Sequence, residues 1–303
     1  MSHPVNEPIL GYSPGSKERI EIKAELDRQI SEVIEIPCII NGKEVFTGNI
    51  TTQVIPHNHN HIIARVHLAG KDEMENACKA AVNAQQNWID IGLESRCEIF
   101  EKCADLLAGE WRMKVNASTM LNQSKTVFQA EIDSACELID FWRFNCFYAR
   151  NFHDDLQPLV SPPGVKNSTE IRPLEGFVLS ITPFNFTSIA ANLPSAPAIV
   201  GCTSVWKPSR NSYLSNYILM QLMMEAGLPD GVINFLPGPG AEITEVALAN
   251  PDFAGLHFTG STATFQGLWQ EIGLALPNLR SYPRIVGETG GKDFVVAHPN
   301  CNE

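Results

Sequence analysis

The chain has 303 residues, 44% of them hydrophobic and 18% charged, which is enough for one large or two ordinary globular domains. Its formal net charge of −12 argues against nucleic acid or an anionic membrane surface as the main partner. No apolar run reaches the ~18–20 residues that cross a bilayer. The first residues resemble neither a signal peptide nor an Arg-rich presequence. The eight cysteines include no Cys-x-x-Cys pair, which favours reduced thiols over a disulfide framework or a zinc site.

The first 150 residues predict short strands followed by helices. A helical pattern runs from Glu18 to Val33, and strand-like pieces follow at Ile36–Ile40 and Glu44–Phe46. The Asn41-Gly42 pair between these two pieces is typical of a β-hairpin. Hydrophobic residues then recur at helical spacing through residues 71–150. We expect this N-terminal region, residues 1–150, to pack on the remainder of the chain.

Three histidines, His57, His59 and His61, alternate along the chain. On a strand they would share one face and could hold a metal ion. No fourth ligand or carboxylate cluster accompanies them, so an exposed turn or strand edge is the favoured interpretation. We therefore expect no metal site.

Residues 151–175 differ in character from their surroundings. Short extended pieces are interrupted there by Pro158, Pro162, Pro163, Gly164 and Pro173. This composition predicts a boundary, or a projecting β-arm, between two structural units.

From residue 176 onward, strands and helices alternate at short spacing. The predicted strands are Phe177–Ile181, Ser204–Lys207, Val232–Leu236, Gly255–Phe258 and Arg284–Val286. Such alternation predicts an α/β fold, with a parallel sheet covered by helices. Right-handed crossovers place the carboxyl ends of all five strands at one edge, where open α/β sheets bind their ligands.

Polar and glycine-rich segments follow all five predicted strands. The turn at Thr259-Gly260-Ser261-Thr262 suits a dinucleotide pyrophosphate at a helix N-terminus, although an ordinary N-cap turn would look the same. Lys207 could bond ribose hydroxyls or be solvated, and the Asn185 carboxamide could donate to a developing oxyanion or brace its turn. Glu288 lies on a glycine-rich stretch, where it is either a solvated strand-end residue or a carboxylate that takes up a proton.

The ordered set of strand-end motifs resembles the aldehyde dehydrogenase superfamily. The motifs are Thr-Pro-Phe-Asn-Phe at 182–186, Trp-Lys-Pro-Ser at 206–209, Leu-Pro-Gly at 236–238, Phe-Thr-Gly-Ser at 258–261 and Gly-Glu-Thr-Gly-Gly-Lys at 287–292. Within that superfamily the chain is most similar to the Δ1-pyrroline-5-carboxylate dehydrogenases of proline degradation, up to about residue 298. The resemblance implies a Rossmann-like NAD-binding domain at 176–292, an oligomerisation arm at 151–175, and at 293–303 the start of a catalytic domain that is largely missing.

The resemblance also implies roles for individual residues. Glu288 would be the general base that activates water, Asn185 the oxyanion donor, and Phe184 and Glu137 would contact the substrate. NAD would be held by a larger set: Thr182, Lys207, Gly238, Gly260, Ser261, Thr262, Ala263, Thr264 and Thr289. The family's nucleophilic cysteine would lie beyond residue 303, since Cys301 lacks its sequence context. Arg210 stands where relatives usually have an acidic residue, so it would either favour a 2′-phosphate or point to solvent.

The implied reaction is the NAD-dependent oxidation of L-glutamate γ-semialdehyde to L-glutamate, in a homo-oligomer of the mitochondrial matrix. Without its nucleophile, we expect the chain alone not to be a competent dehydrogenase. The alternatives are a dinucleotide-binding module without turnover and a truncated partner of full-length relatives. Because this chain shows no presequence, a cytosolic location is also open.

Overall fold

Short strands and six helices precede the parallel-sheet part of the chain. The computed structural model describes residues 3–158, 160–291 and 294–299, and only the backbone of residues 153 and 154. The N-terminal elements are α1 (Lys17–Ser31), β1 (Ile34–Ile36), β2 (Cys38–Ile40), β3 (Lys43–Val45), β4 (Ile50–Ile55), β5 (Asn58–His67), α2 (Lys71–Asp90), α3 (Gly92–Ala108), α4 (Arg112–Gln123) and α5 (Val127–Ala130). A π-helical segment, Glu131–Cys136, joins α5 to α6 (Glu137–Asp155).

The second part of the chain alternates strands with helices, as the sequence predicts. Its elements are β6 (Phe177–Ile181), α7 (Thr187–Ile199), β7 (Thr203–Lys207), α8 (Tyr213–Ala226), β8 (Ile233–Phe235), α9 (Gly240–Ala249), β9 (Phe253–Gly260), α10 (Thr262–Ala275) and β10 (Arg284–Thr289). All neighbouring pairs among these five strands are parallel. The predicted α/β fold class is therefore confirmed.

The strand order defines where a ligand can bind. The seven-stranded sheet has the order β10-β9-β6-β7-β8-β2-β3. Starting from β6, the chain adds β7 and β8 on one side and then crosses back to add β9 and β10 on the other. This is the doubly wound arrangement, and the order reverses between β6 and β9. A crevice outside the carboxyl ends of these two strands is the ligand-binding position of such sheets.

The N-terminal hairpin extends the same sheet, which the sequence did not indicate. β2 pairs antiparallel with β3, and Ile39 of β2 pairs with Phe235 of β8. The single strand predicted over Ile36–Ile40 is interrupted at Pro37, which has no N–H to donate to a ladder. Consequently β1 joins a separate three-stranded sheet with β5 and β4, while β2 joins the large sheet.

Two hydrophobic clusters on the two faces of the large sheet combine residues from both parts of the chain. Three tryptophans lie fully buried, one in α2, one in α6 and one in β7: Trp88, Trp142 and Trp206. Their indole N–H groups donate to Ala198 O (2.8 Å), Ser195 Oγ (3.0 Å) and Thr182 Oγ1 (3.0 Å), respectively. Each buried indole N–H is therefore hydrogen-bonded, and each bond links elements that are distant in sequence.

A buried ionic cluster holds the N-terminal segment against α4 and the π-helical segment. Glu131 is fully buried and accepts hydrogen bonds from Tyr12 Oη (2.7 Å) and Asn116 Nδ2 (2.8 Å). Arg112, also buried, pairs with Glu131 (2.5 Å) and with Glu7 (2.6 Å). Burying these charges is tolerable only because each is paired and hydrogen-bonded. Since the π-helical segment ends next to Glu137, the cluster also fixes the start of α6.

The segment that follows α6 differs from the predicted β-arm. α6 runs on to Asp155, and the described residues of 156–174 contain no strand. The Gln157 side chain links the two ends of this segment through the backbone of Thr169. Gln157 Nε2 donates to Thr169 O (3.1 Å), and Thr169 N donates to Gln157 Oε1 (3.2 Å). An oligomerisation role for this segment stays a prediction.

Among the residues that the structure describes, no helix has both the length and the apolar content needed to span a bilayer. The three alternating histidines lie at the β4–β5 hairpin. The His57 ring bonds Ser124 Oγ (2.7 Å), whereas the His61 ring bonds Ile30 O (2.9 Å). The described residues hold no cluster of His, Cys, Asp and Glu side chains suited to a metal ion.

Candidate functional site

The carboxyl ends of the five parallel strands bring the predicted site residues to one edge of the sheet. Ile181, the last residue of β6, pairs with Lys207 of β7 and with Phe258 of β9. On the far side, Glu288 pairs with Thr259. Because these neighbouring parallel strands end at the same edge of the sheet, the loops that follow them lie side by side. Residues far apart in sequence therefore share one surface.

The first turn of α10 forms one side of this edge. Ser261 caps the helix, and its Oγ accepts a hydrogen bond from Thr264 N (3.2 Å). Gly260, Ser261, Thr262, Ala263 and Thr264 are all exposed. The first N–H groups of a helix have no partner inside it, and the helix dipole adds positive potential there. This exposed turn lies next to the switch point, the place between β6 and β9 where the strand order reverses. It can therefore hold a phosphate group.

Lys207 supplies a positive charge at this edge. It ends β7, and burial lowers the pKa of its ammonium group. Among the described residues no carboxylate pairs with this ammonium, which lies close to the start of α9. A side-chain carbon built on Gly240 would be 3.8 Å from Lys207 Nζ. An unpaired buried ammonium is costly, so an oxygen-rich ligand at this position would stabilise it.

Gly238, between β8 and α9, leaves no space for a side chain. A side-chain carbon there would lie 2.8 Å from Ile243 Cδ1 and 3.0 Å from Ala69 O. Thr182, in contrast, is buried, and its hydroxyl accepts the Trp206 N–H. The structure therefore places Thr182 within the wall of the site and leaves less of it open to a ligand than the predicted role suggested.

Glu288 lies within a strand, whereas the strand predicted from the sequence, Arg284–Val286, ends before it. β10 continues through Thr289, because β9 extends to Gly260 and the two strands keep pairing. The turn begins only at Gly290, with φ +82, and Gly291, with φ +72, backbone angles that favour glycine. The Glu288 side chain is exposed at this edge strand. Lys292, the last residue of the predicted motif, lies outside the described residues.

Glu137 is the acidic group that the structure brings towards the same surface from the N-terminal helices. It begins α6 and accepts a hydrogen bond from Ser188 Oγ in the first turn of α7. Burial raises the pKa of Glu137, the Ser188 bond opposes this, and the carboxylates of Asp133 and Glu288 raise it further. The influence of Glu288 places the two glutamates in one electrostatic neighbourhood.

Phe184 and Asn185 are exposed on the bend between β6 and α7. They therefore lie on the loop at the switch point, next to Ser188 and its partner Glu137. Sequence reasoning missed Lys125, which approaches from the loop between α4 and α5. Its Nζ lies 2.5 Å from Asp133 and 4.3 Å from the centre of the Phe186 ring. Only the tertiary packing of the π-helical segment against α7 reveals this residue, since nothing in its sequence neighbourhood marks it.

None of the cysteines that the structure describes presents a thiol to this surface. The seven are Cys38, Cys78, Cys97, Cys103, Cys136, Cys146 and Cys202, and all are buried and free. Burial raises the pKa of Cys38 and Cys78 to about 12, which favours the unreactive thiol. Cys301 lies outside the described residues.

Arg210 follows β7 and is exposed, and its carbonyl accepts a hydrogen bond from Gln53 Nε2 (3.2 Å). Its guanidinium has no salt bridge among the described residues. The prediction that it either contacts a 2′-phosphate or points to solvent therefore stays open.

Comparisons with known proteins agree with this geometry. Residues 47–303 match the family model described as "Aldehyde dehydrogenase family". A relative from Agaricus bisporus, named delta-1-pyrroline-5-carboxylate dehydrogenase, is 48% identical over 98% of this chain and 54% of its own length. The human relative, named delta-1-pyrroline-5-carboxylate dehydrogenase, mitochondrial, is 41% identical over 98% of this chain and 52% of its own length. The chain thus spans about half the length of the curated relatives it matches.

A solved structure shows the same fold at high similarity. The delta-pyrroline-5-carboxylate dehydrogenase from Mycobacterium tuberculosis, crystallised with NAD, superposes with a TM-score of 0.96 and 49% identity. The match covers 100% of this chain and 56% of that one.

Proposed function

Because this chain belongs to the aldehyde dehydrogenase family, we propose that it forms the cofactor-binding part of an enzyme that oxidises L-glutamate γ-semialdehyde to L-glutamate with NAD. The observation that carries this proposal is its 41–48% identity, over 98% of its length, to relatives from fungi and man named delta-1-pyrroline-5-carboxylate dehydrogenase. The strand-end surface provides an independent physical reason, since it offers groups suited to a dinucleotide beside groups suited to an aldehyde.

The residues present fit NAD on physical grounds. The exposed first turn of α10, from Ser261 to Thr264, would hold the pyrophosphate through backbone N–H groups. The unpaired ammonium of Lys207 would bond ribose hydroxyls, and the backbone at Gly238, just before α9, would line the same site. Gly260 and Thr289, paired across β9 and β10, would line the same groove. When bound, NAD supplies the hydride acceptor of the reaction.

On the substrate side, the chain's residues would position the aldehyde and move a proton. The Asn185 carboxamide would donate a hydrogen bond to the carbonyl oxygen as it gains negative charge. Glu288, exposed at the end of β10, would take a proton from water. Glu137 would attract the ammonium group of the substrate, and Phe184 would form an apolar wall for its carbon chain.

We further propose that this chain binds NAD without turning over the semialdehyde by itself. The described cysteines are all buried, so none of them offers an exposed thiolate to attack an aldehyde at the strand ends. The same observation favours the second candidate function, a non-catalytic dinucleotide-binding module or a partner of a longer relative.

The test is a paired measurement on the purified chain. Calorimetric titration with NAD is expected to show saturable binding, whereas NADH formation from L-glutamate γ-semialdehyde is expected to stay at the uncatalysed rate. Turnover by this chain, abolished when Glu288 is changed to glutamine, would overturn the proposal of inactivity. Absence of NAD binding would overturn the cofactor assignment. A parallel titration with NADP decides whether Arg210 selects the 2′-phosphate.

The cellular setting is proposed from the relatives alone. Those from Dictyostelium discoideum, man and mouse carry the word mitochondrial in their names, so we place this protein in the mitochondrial matrix, with the cytosol as the alternative. Fractionation of cells expressing the tagged protein distinguishes the two. A homo-oligomer involving residues 151–175 is also proposed, and sedimentation of the wild type against a variant lacking residues 160–170 tests it.

A further inference from the structure

Two cysteines meet where α3 crosses α6. Cys146 Sγ lies 3.7 Å from the carbonyl oxygen of Cys97, and Cys97 Sγ lies 4.0 Å from the carbonyl oxygen of Cys146. Each sulfur thus reaches the backbone carbonyl of the other residue, to which its thiol can donate. Such reciprocal contact requires a close approach of the two backbones, which is the geometric condition for a disulfide.

The two thiols are chemically unequal. The nearby Cys146 side chain lowers the pKa of the Cys97 thiol, whereas the nearby Cys97 side chain and burial raise the pKa of the Cys146 thiol. The guanidinium of Arg150 favours the thiolate form of both cysteines. Cys97 is therefore the better nucleophile of the pair, and Cys146 is the protonated neighbour placed to react with it in a second step.

An ion-pair cluster covers the thiols on the solvent side. Arg150 follows Cys146 by one helical turn, and Glu94 and Glu101 flank Cys97 by about one turn on either side. Arg150 Nε lies 2.9 Å from Glu94, and its terminal nitrogens bond Glu101. Glu94 is 66% exposed, so one side of this cover contacts solvent and is held by interactions that are individually weak. Both cysteines are fully buried beneath this cover, so a small oxidant would reach them through it.

We propose that Cys97 and Cys146 form a redox pair that a hydroperoxide converts to a disulfide linking α3 to α6. The Cys97 thiolate attacks the peroxide oxygen; the O–O bond breaks, and the peroxide leaves as an alcohol or, from hydrogen peroxide, as water. Cys146 then attacks the sulfenic sulfur of Cys97, forming the S–S bond and releasing water. Two thiols lose two electrons and two protons, and one peroxide is reduced. This pair lies outside the strand-end site and does not depend on the function proposed for it.

The remaining cysteines show why this pair is special. Cys103, on the same helix as Cys97, is fully buried, and burial raises its pKa without any thiol partner. Cys38 instead contacts His67 O (3.5 Å). Among the described cysteines, only Cys97 and Cys146 each place their sulfur within hydrogen-bond distance of the other residue.

The experiment treats the folded protein with hydrogen peroxide, blocks the remaining thiols under denaturing conditions, and maps the peptides without reduction. The expected result is one linked peptide pair, Cys97 to Cys146, which dithiothreitol releases. The linked protein should melt about 5 °C higher, since the bond closes a long loop in the unfolded chain.

Two variants test the assignment of roles. In Cys146→Ala, a dimedone adduct should accumulate on Cys97, whereas the matched control Cys103→Ala should form the link as the wild type does. Recovery of both thiols unmodified, or a link that forms no faster in the folded protein than in urea, would overturn the proposal. So would a preference for any other cysteine of the chain as the partner of Cys97.

Discussion

Replacing Glu131 with glutamine should lower the free energy of unfolding by about 3 kcal/mol. The carboxylate is fully buried and accepts bonds from Arg112, Tyr12 and Asn116. Glutamine has nearly the same shape, but it leaves the buried guanidinium short of a counter-charge. Removing one partner of a buried ion pair typically costs ~3–5 kcal/mol. The lower end applies because Glu7 still pairs with Arg112 at 2.6 Å.

The pH dependence gives the same prediction a second readout. Burial raises the pKa of Glu131, but the bonds from Arg112, Leu10 and Tyr12 outweigh it, and the net pKa is lowered. A carboxyl whose pKa is lower in the folded state stabilises the protein above its unfolded pKa of about 4.3. That stabilisation is lost as the pH falls through the folded value. The difference in the free energy of unfolding between wild type and Glu131→Gln should therefore be largest near neutral pH and smaller in acid.

Urea unfolding followed by circular dichroism measures both effects. The matched control is Glu32→Gln, the same chemical change in a surface ion pair, with Arg28 at 2.8 Å. It should cost less than about 1 kcal/mol. A loss below 1 kcal/mol for Glu131→Gln, or a gap that does not change with pH, would show that the buried cluster does not stabilise the fold as described.

Three further substitutions, and a fourth that serves as a control, probe the strand-end surface. Gly287→Ala should lower the free energy of unfolding by about 1–3 kcal/mol, because its methyl group would lie 2.3 Å from the Phe265 ring. Gly267→Ala, in the interior of α10 with open space around it, should be neutral or stabilising. Thermal melts compare the two variants. Lys207→Met should weaken NAD binding about tenfold or more without lowering the melting temperature, and equal affinity by calorimetry would refute the role of this ammonium. Ser188→Ala removes a bond that lowers the pKa of Glu137, so that pKa should rise further in a carbon-13 NMR titration; a fall would contradict the assigned contact.

The parallel sheet could be predicted because its strands and helices alternate at short spacing. All five strands from Phe177 to Thr289 occur where the pattern placed them, and the resemblance to the aldehyde dehydrogenase family is confirmed. What the pattern could not reveal was pairing that depends on partners distant in sequence. Pro37 divides an apolar run between two sheets, and β10 extends to Thr289 because β9 provides a partner up to Gly260.

The candidate site was predictable to the extent that its residues follow strands. Lys207, Ser261 and Glu288 could be placed at one edge from topology alone, and the structure puts them there. Lys125, in contrast, enters through the packing of helices whose relative positions leave no mark in the sequence. The same holds for the bond between Ser188 and Glu137, and for the buried cluster around Glu131.

The most direct test of a dinucleotide site at the strand ends is a calorimetric titration of NAD into the wild-type chain and into Lys207→Met. Saturable binding to the wild type at a single site is expected, weakened about tenfold or more in the variant. Identical binding by the two proteins, or no heat from the wild type up to millimolar NAD, would contradict the claim that the carboxyl ends of the parallel strands form a dinucleotide site.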